Sequence, residues 1–141
     1  MDLVGGCLCG AVRYRSLHPP VRQFVCHCRD CQRSGGSAFH VGVLVPRSGF
    51  TITQGELRRY ESQADSGRTI TRSFCPICGS GVINELEFRP DHIVIKIGTL
   101  DDPALVNPSY EVFARSRVQW VRIAGEIETF ETMSPYGGQK R

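Results

Sequence analysis

The sequence has little of what membrane or nucleic-acid-binding proteins need. No apolar run approaches the roughly 20 residues of a membrane-spanning helix, and the opening MDLVGGCLCG contains no charged-then-apolar leader. The net charge is only +3, and the basic pairs Arg58-Arg59 and Lys140-Arg141 have no interleaved aromatic residues, so nothing indicates a nucleic-acid face. We therefore expect a cytoplasmic protein that contacts neither membranes nor nucleic acid.

Helical patterns are also scarce, which favours a β fold. The best candidates for helical turns are residues 29–33 and the Asp102-Pro103 pair, where the aspartate would act as a cap. The predicted fold class is mainly β, a single domain of short antiparallel sheets with few short helical turns. The expected strands are residues 11–15, 39–45, 50–53, 57–60, 69–74, 81–86 and 92–100, with weaker candidates at 110–114 and 118–123.

The chain length of 141 residues is that of one domain. We place this domain at residues 1–133. Residues 62–68 are polar and are expected to form a mobile loop, and residues 134–141 are expected to form a flexible tail.

Cysteine is the one residue type present in excess, with seven in the chain. The odd number and the expected cytosolic location disfavour a disulfide framework and favour metal or thiol chemistry. Every cysteine belongs to a close pair or trio, which scattered core cysteines would not do. The three groups are CLC at 7–9, CHCRDC at 26–31 and CPIC at 75–78.

The two cysteine pairs predict a closed zinc site. Structural Zn²⁺ prefers four tetrahedral ligands, with thiolates favoured, and one ion here would tie the N-terminus to a distant segment and hold the sheets together. Gly10 and Gly79 permit left-handed turns that aim backbone N–H groups at the sulfurs. The alternative is two thiol–disulfide redox pairs. The four ligands would be Cys7, Cys9, Cys75 and Cys78.

The remaining trio, Cys26, Cys28 and Cys31, predicts a second zinc site. Three protein ligands leave one coordination position open, which is typical of catalytic zinc. With three thiolates such a zinc activates water poorly, but it can accept an external thiol and lower the pKa of that thiol. Two alternatives remain: His27, His40 or a distal carboxylate closes the site, or the trio forms a transient disulfide. Because His27 lies between two ligands, we expect its side chain to point elsewhere.

These clusters and their surroundings resemble a known family. The segments GGCLCGAVRY (5–14), CHCRDCQRSGGSAF (26–39), FCPICGSGV (74–82) and GTLDDP (98–103) resemble the glutathione-dependent formaldehyde-activating enzymes, a family that includes the centromere protein V type domain. Residues 110–120 resemble its C-terminal signature, although Phe113 and Val118-Gln119 depart from it. The resemblance spans residues 4–121.

The resemblance implies a zinc-containing β fold of stacked antiparallel sheets. It implies a structural zinc at the two cysteine pairs and a catalytic zinc at the trio. The family's named reaction joins formaldehyde and glutathione reversibly to S-hydroxymethylglutathione. The expected enzyme is therefore a zinc-dependent carbon–sulfur lyase whose partners are a glutathione-like thiol and an aldehyde.

Several residues near the trio are candidates for binding the two carboxylates of glutathione. Gln32 and Arg33 stand in a Cys-Gln-Arg stretch that the family shares, and we expect them to bind the substrate. Arg29 flanks the trio on its other side, and Ser34 and the Gly35-Gly36 backbone can donate hydrogen bonds. The alternative for the arginines is a solvated surface.

Isolated residues carry weaker expectations. His18 is expected in an exposed loop, His92 at a strand end, and His40 in a structural role. Trp120 is expected to pack in the core or in an interface. Phe39 is expected to pack against its neighbours, with a pocket wall as the alternative.

A second class of function stays open beside the enzyme. A non-enzymatic, zinc-stabilised binding module for protein or chromatin partners predicts two saturated zinc ions and no response to small thiols. A weaker third hypothesis is a redox sensor that releases zinc when the trio is oxidised. A monomer and a dimer are both compatible with short edge strands.

Overall fold

The computed structural model describes residues 2–135 of the chain. The strands are β1 (Leu3–Gly6), β2 (Arg13–Ser16), β3 (Arg22–Cys26), β4 (His40–Pro46), β5 (Phe50–Gln54), β6 (Arg58–Gln63), β7 (Thr69–Phe74), β8 (Gly81–Leu86), β9 (His92–Lys96), β10 (Tyr110–Val112) and β11 (Glu128–Thr129). The α-helix, α1, is Arg29–Gly35. Short 3-10 turns lie at Arg47–Gly49, Ile97–Thr99, Pro103–Leu105 and Ala114–Ser116.

The mainly β prediction is confirmed, with corrections at several boundaries. The predicted strand at 92–100 ends at Lys96, because residues 97–99 form a 3-10 turn. No strand forms at 118–123, where the Val121 N–H turns back to the Val118 carbonyl. Strand β6 extends to Gln63, so the first two residues of the loop expected at 62–68 belong to a strand. Strand β3, RQFVC, was not predicted because it has a polar start and no alternation.

The expected helical turns and loop residues are mostly confirmed. Asp102 caps the turn Pro103–Leu105, since its carboxylate accepts a hydrogen bond from the Ala104 N–H at 3.1 Å. His18 is exposed, and His92 is the first residue of β9. Residues 136–141 of the predicted tail lie outside the described residues, and Ser134 is buried.

Two sheets make up the architecture. A small sheet has the order β1-β2-β5, and a large one has the order β11-β10-β3-β4-β9-β8-β7-β6. Pairing is antiparallel, as predicted, except that β10 runs parallel to both of its neighbours, β3 and β11. Among residues 2–135, no helix is both long and apolar enough to cross a membrane.

The two faces of the large sheet have different environments. In β4, Val43 and Val45 point to one face and pack against the small sheet, where Leu3 and Tyr14 are almost completely buried. Because side chains alternate along a strand, Leu44 points to the opposite face. That opposite face forms part of the wall of a cavity.

Helix α1 begins immediately after two cysteines of the trio. Cys28 is its N-cap, and the Cys28 sulfur accepts a hydrogen bond from the Cys31 N–H at 3.3 Å. The helix ends at Gly36, whose φ of 68° is a left-handed conformation that glycine adopts without strain. A thiolate at the helix N-terminus is favoured by the orphan N–H groups and the helix dipole.

Candidate metal centres and the adjoining cavity

The two predicted cysteine pairs meet in space. The sulfur atoms of Cys7, Cys9, Cys75 and Cys78 lie within 4.8 Å of one another. The Cys7 and Cys9 sulfurs are 3.6 Å apart, and the Cys9 and Cys75 sulfurs are 3.8 Å apart. A tetrahedral zinc with Zn–S bonds of about 2.3 Å places its sulfurs about 3.8 Å apart. The four thiols therefore fit a tetrahedral metal ion.

Tight turns position these four sulfurs. Gly10 and Gly79 follow the two pairs with φ of 80° and 79°, which confirms the predicted left-handed turns. The Val12 N–H donates to the Cys7 sulfur at 3.3 Å, and the Cys78 N–H points to the Cys75 sulfur at 3.5 Å. Such donors stabilise thiolates and orient them for a metal.

A serine supports the last ligand of this centre. Hydrogen bonds from the side chain and backbone of Ser80 lower the pKa of Cys78 to about 5. The Ser80 hydroxyl lies 3.2 Å from the Cys78 sulfur and also accepts a hydrogen bond from the Leu8 N–H. Ser80 thus links the two cysteine turns directly.

The trio forms the second cluster. The sulfurs of Cys26, Cys28 and Cys31 lie within 4.8 Å of one another. Hydrogen bonds from the other two thiols lower the pKa of Cys28 to about 2, with help from the Cys31 N–H and the charge of Arg72. The cluster therefore holds a thiolate at neutral pH, the form that binds metals.

No fourth ligand lies at the trio among the described residues. His27 points away, as predicted: it is fully buried, and its Nε2 lies 2.6 Å from a carboxylate oxygen of Glu111. Glu111 also accepts a hydrogen bond from Thr129 Oγ1 at 2.8 Å, and Arg117 lies 3.5 Å from it. A site closed by His27 is therefore excluded by the position of its ring.

His40 is a neighbour of the trio rather than a member. It pairs with Cys26 across β3 and β4, and it is absent from the set of converging sulfurs. Burial lowers the pKa of His40 to about 3, so its ring is neutral. Its Nε2 is buried and has no hydrogen-bond partner within residues 2–135.

The trio opens onto a cavity of about 800 Å³. All three cysteines and His40 line it, as do apolar side chains of the large sheet such as Leu44. Gly42 lets two of the lining side chains pack over its strand, because a Cβ there would lie 2.9 Å from His40 Nε2 and 2.7 Å from Val94. A volume of this size suits a small-molecule ligand.

The cavity is basic. Six arginines and two aspartates line it, so its lining carries a formal charge of +4 (6 − 2). This charge favours anionic ligands with carboxylates, to which arginine binds in a bidentate manner. The arginines are Arg22, Arg29, Arg68, Arg72, Arg89 and Arg115.

The predicted substrate contacts are only partly at this cavity. Arg29 lines it, whereas Arg33 is exposed and does not. Gln32 is buried, and its amide nitrogen donates to the carbonyls of His27 and Ser116 at 2.8 and 3.0 Å. Gln32 and Arg33 therefore remain predictions as substrate-binding residues, and Gln32 already holds the loop of the trio in place.

Sequence reasoning missed the other five cavity arginines. They come from separate strands and loops, and no local pattern distinguishes them from surface charges. The only available signal was that Arg72 lies in the expected strand at 69–74.

Two aromatic predictions have different outcomes. Trp120 is 77% exposed, so it does not pack in the core, and its expected packing in an interface stays a prediction. Phe39 contacts His27 and also lines a second cavity of about 470 Å³, together with Lys96 and residues of the Cys78 turn. The expected packing of Phe39 is therefore present, but Phe39 does not line the cavity beside the trio.

The fold and its sites define a mainly β protein that can hold two metal ions and has a basic cavity beside one of them. The profile of the family described as glutathione-dependent formaldehyde-activating enzyme matches residues 2–116. The chain belongs to this family, and the resemblance seen in the sequence is confirmed.

A solved structure supports the same fold. The crystal structure of a Rhodobacter sphaeroides protein, determined as a structural genomics target, is 25% identical to this chain. The match covers 74% of this chain and 91% of that one, with a TM-score of 0.56.

Proposed function

We propose that this protein joins the thiol of glutathione to an aldehyde, formaldehyde in the reaction that names the family, and cleaves the same bond in reverse. The product with formaldehyde is S-hydroxymethylglutathione, which makes the protein a carbon–sulfur lyase. The observation that carries this proposal is the position of the trio on the wall of a basic cavity, with three thiols and no fourth ligand from residues 2–135.

Zinc is the metal that suits both cysteine clusters. All seven candidate ligands are thiols, and their spacing at the four-cysteine cluster matches tetrahedral zinc. The four-cysteine cluster would hold a structural ion. Zinc at the catalytic residues Cys26, Cys28 and Cys31 would supply an open position that lowers the pKa of an added thiol.

The protein's own side chains would bind and orient the substrates. The arginine-lined walls attract the carboxylates of glutathione, and the positive charge of Arg72 favours negative charge at the neighbouring thiols. The neutral ring of His40 faces the cavity and can form a hydrogen bond with the aldehyde oxygen. Holding thiol and aldehyde together in this cavity adds a proximity gain.

Two further predictions accompany this function. Seven free thiols in the described part of the chain suit a reducing compartment such as the cytoplasm. The catalytic domain is expected to comprise residues 1–133, with a monomer or a dimer as the assembly.

Calorimetric titration tests the proposal. Zinc-replete protein is titrated with glutathione and, as a control, with S-methylglutathione, in which the thiol is blocked. We expect glutathione to bind at least tenfold more tightly, because only its thiol can reach the metal as a thiolate. Equal binding of both peptides would contradict a sulfur site at the trio, and binding of neither would favour the binding-module alternative.

A further inference from the structure

Two neighbouring residues on the cavity wall carry complementary polar atoms. Arg72 on β7 and Asn84 on β8 face each other across the strands, and both line the cavity. Residues directly opposite in antiparallel strands have Cβ atoms about 5 Å apart. Arg72 Nε and Asn84 Oδ1 are both buried and have no hydrogen-bond partner in the described part of the chain. The Arg72 guanidinium, a cationic donor, therefore lies beside the Asn84 amide oxygen, a neutral acceptor.

Neither residue is explained by the packing around it. Asn84 is only 4% exposed, and leaving a buried amide oxygen without a hydrogen bond is unfavourable. The Arg72 guanidinium donates through Nη1 to Ser62 Oγ at 3.0 Å, and it forms no ion pair with a carboxylate of residues 2–135. Buried polar groups without partners are expected to have one in the functional state.

One cavity of about 800 Å³ is lined both by the trio and by Arg72 and Asn84. In glutathione, the α-carbon of the γ-glutamyl residue lies about two residue lengths from the cysteine, roughly 7 Å when extended. When the sulfur of such a peptide is at the trio, its γ-glutamyl end is the part that would extend through this cavity along the wall that carries Arg72 and Asn84.

We propose that Arg72 and Asn84 bind the α-amino acid head of a γ-glutamyl thiol. The Arg72 guanidinium binds the α-carboxylate, and Asn84 Oδ1 accepts a hydrogen bond from the α-ammonium group. This inference rests on the proposed function, and it adds that the site selects γ-glutamyl thiols over thiols that lack this head. The two residues are specificity determinants on the sheet, distant in sequence from the trio.

The first arm of the test isolates Asn84. Zinc-replete full-length protein is titrated calorimetrically with glutathione and with N-acetylglutathione, which has no ammonium group. We expect N-acetylation to weaken binding to the wild type at least tenfold and to change binding to Asn84→Ala by less than twofold. Asn107→Ala is the matched control, because Asn107 is exposed and lies outside the cavity; it should retain the wild-type ratio.

The second arm isolates Arg72. Arg72→Gln should weaken binding of γ-glutamylcysteine at least tenfold and binding of cysteinylglycine, which lacks the γ-glutamyl head, less than twofold. Arg72→Lys keeps the charge and should restore part of the loss. Metal content and the circular dichroism spectrum are measured for each variant to confirm loading and folding.

Three results would overturn the inference. The first is an equal loss for both dipeptides in Arg72→Gln, which would mean that Arg72 acts only through the trio and does not contact the γ-glutamyl head. The second is an unchanged penalty for N-acetylation in Asn84→Ala. The third is failure of the wild type to bind any of these thiols, which alone would also refute the proposed function. Glutathione binding with either of the first two results would leave that function standing.

Discussion

The four-cysteine centre and the trio both offer cysteine sulfurs as ligands, but the segments that carry these sulfurs differ. The four-cysteine centre draws its sulfurs from a turn after β1 in the small sheet and a turn between β7 and β8 in the large one. The trio draws all three from residues 26–31, at the junction of β3 and α1. A metal in the first centre closes a long loop, whereas a metal in the second closes a very short one.

The surroundings of the two centres also differ, in the exposure of their turns and in their access to a cavity. The turns of the four-cysteine centre carry exposed side chains, with Leu8 89% and Ile77 76% exposed, and its cysteines line neither of the two cavities described above. The trio faces a basic cavity of about 800 Å³ with all three sulfurs. From this comparison we infer that a centre whose ligands lie far apart along the chain contributes more to the stability of the fold. A centre whose ligands face a cavity can instead meet a substrate.

Cys75→Ser is expected to have the largest effect, because it would remove a ligand from the long-range crosslink. Cys75 is completely buried, and the N–H groups of Ile77 and Cys78 point to its sulfur at 3.4 and 3.5 Å, so the shorter serine side chain would also lie farther from these donors. Metal binding at structural zinc sites provides about 10–16 kcal/mol of apparent free energy, more than the total stability of an average domain. We expect insoluble or unfolded protein, measured by circular dichroism and soluble yield. A soluble, folded Cys75→Ser protein would refute the structural assignment.

Cys31→Ser is the matched change at the other centre, and it should separate function from folding. The trio spans six residues, so losing its metal frees little chain entropy. We expect a folded protein with one zinc per chain instead of two and no detectable binding of glutathione. Metal analysis, thermal unfolding and calorimetry check the three parts. If Cys31→Ser unfolds as completely as Cys75→Ser, the contrast between the centres is wrong.

The contrast also explains what could be predicted from the sequence. Cysteine spacing is local information, so the trio and each pair were evident, and the conformations of Gly10 and Gly79 followed from their position behind the pairs. The meeting of the two pairs was predictable because a four-ligand ion needs both. Strand alternation likewise located β4, β5, β7 and β8 within a residue or two.

The cavity was not predictable for physical reasons. Its arginines come from strands and loops that only the curvature and register of the large sheet bring together. Arg72 and Asn84, for example, become neighbours through the pairing of β7 with β8. The partner of His27 was hidden in the same way, since Glu111 lies 84 positions away on a parallel strand. Phe113, where the family signature is broken, adopts a left-handed φ of 55° that its side chain gave no reason to expect.

Glu111→Leu should have the smallest effect of the three substitutions. It tests the contrast between the two metal centres, because it removes a contact that holds the trio in place and leaves all three cysteine ligands unchanged. The buried Glu111 carboxylate accepts hydrogen bonds from His27 and Thr129. Removing the acceptor leaves the buried His27 donor unsatisfied, which costs about 1–3 kcal/mol, here as a loss of unfolding free energy in urea titrations. His27 lies between Cys26 and Cys28, and losing such outer contacts typically weakens metal binding about 10–100-fold.

The metal readout distinguishes positioning from a general loss of stability. In competition with a chelator, Glu111→Leu should lose the trio's zinc at lower chelator concentration, while the zinc of the four-cysteine centre remains. Glu111→Gln is the control, because its amide oxygen can still accept the hydrogen bond from His27 and should keep most of the affinity. Equal weakening of both centres would mean that Glu111 stabilises the domain as a whole, and that His27 does not hold the cysteines on either side of it in place.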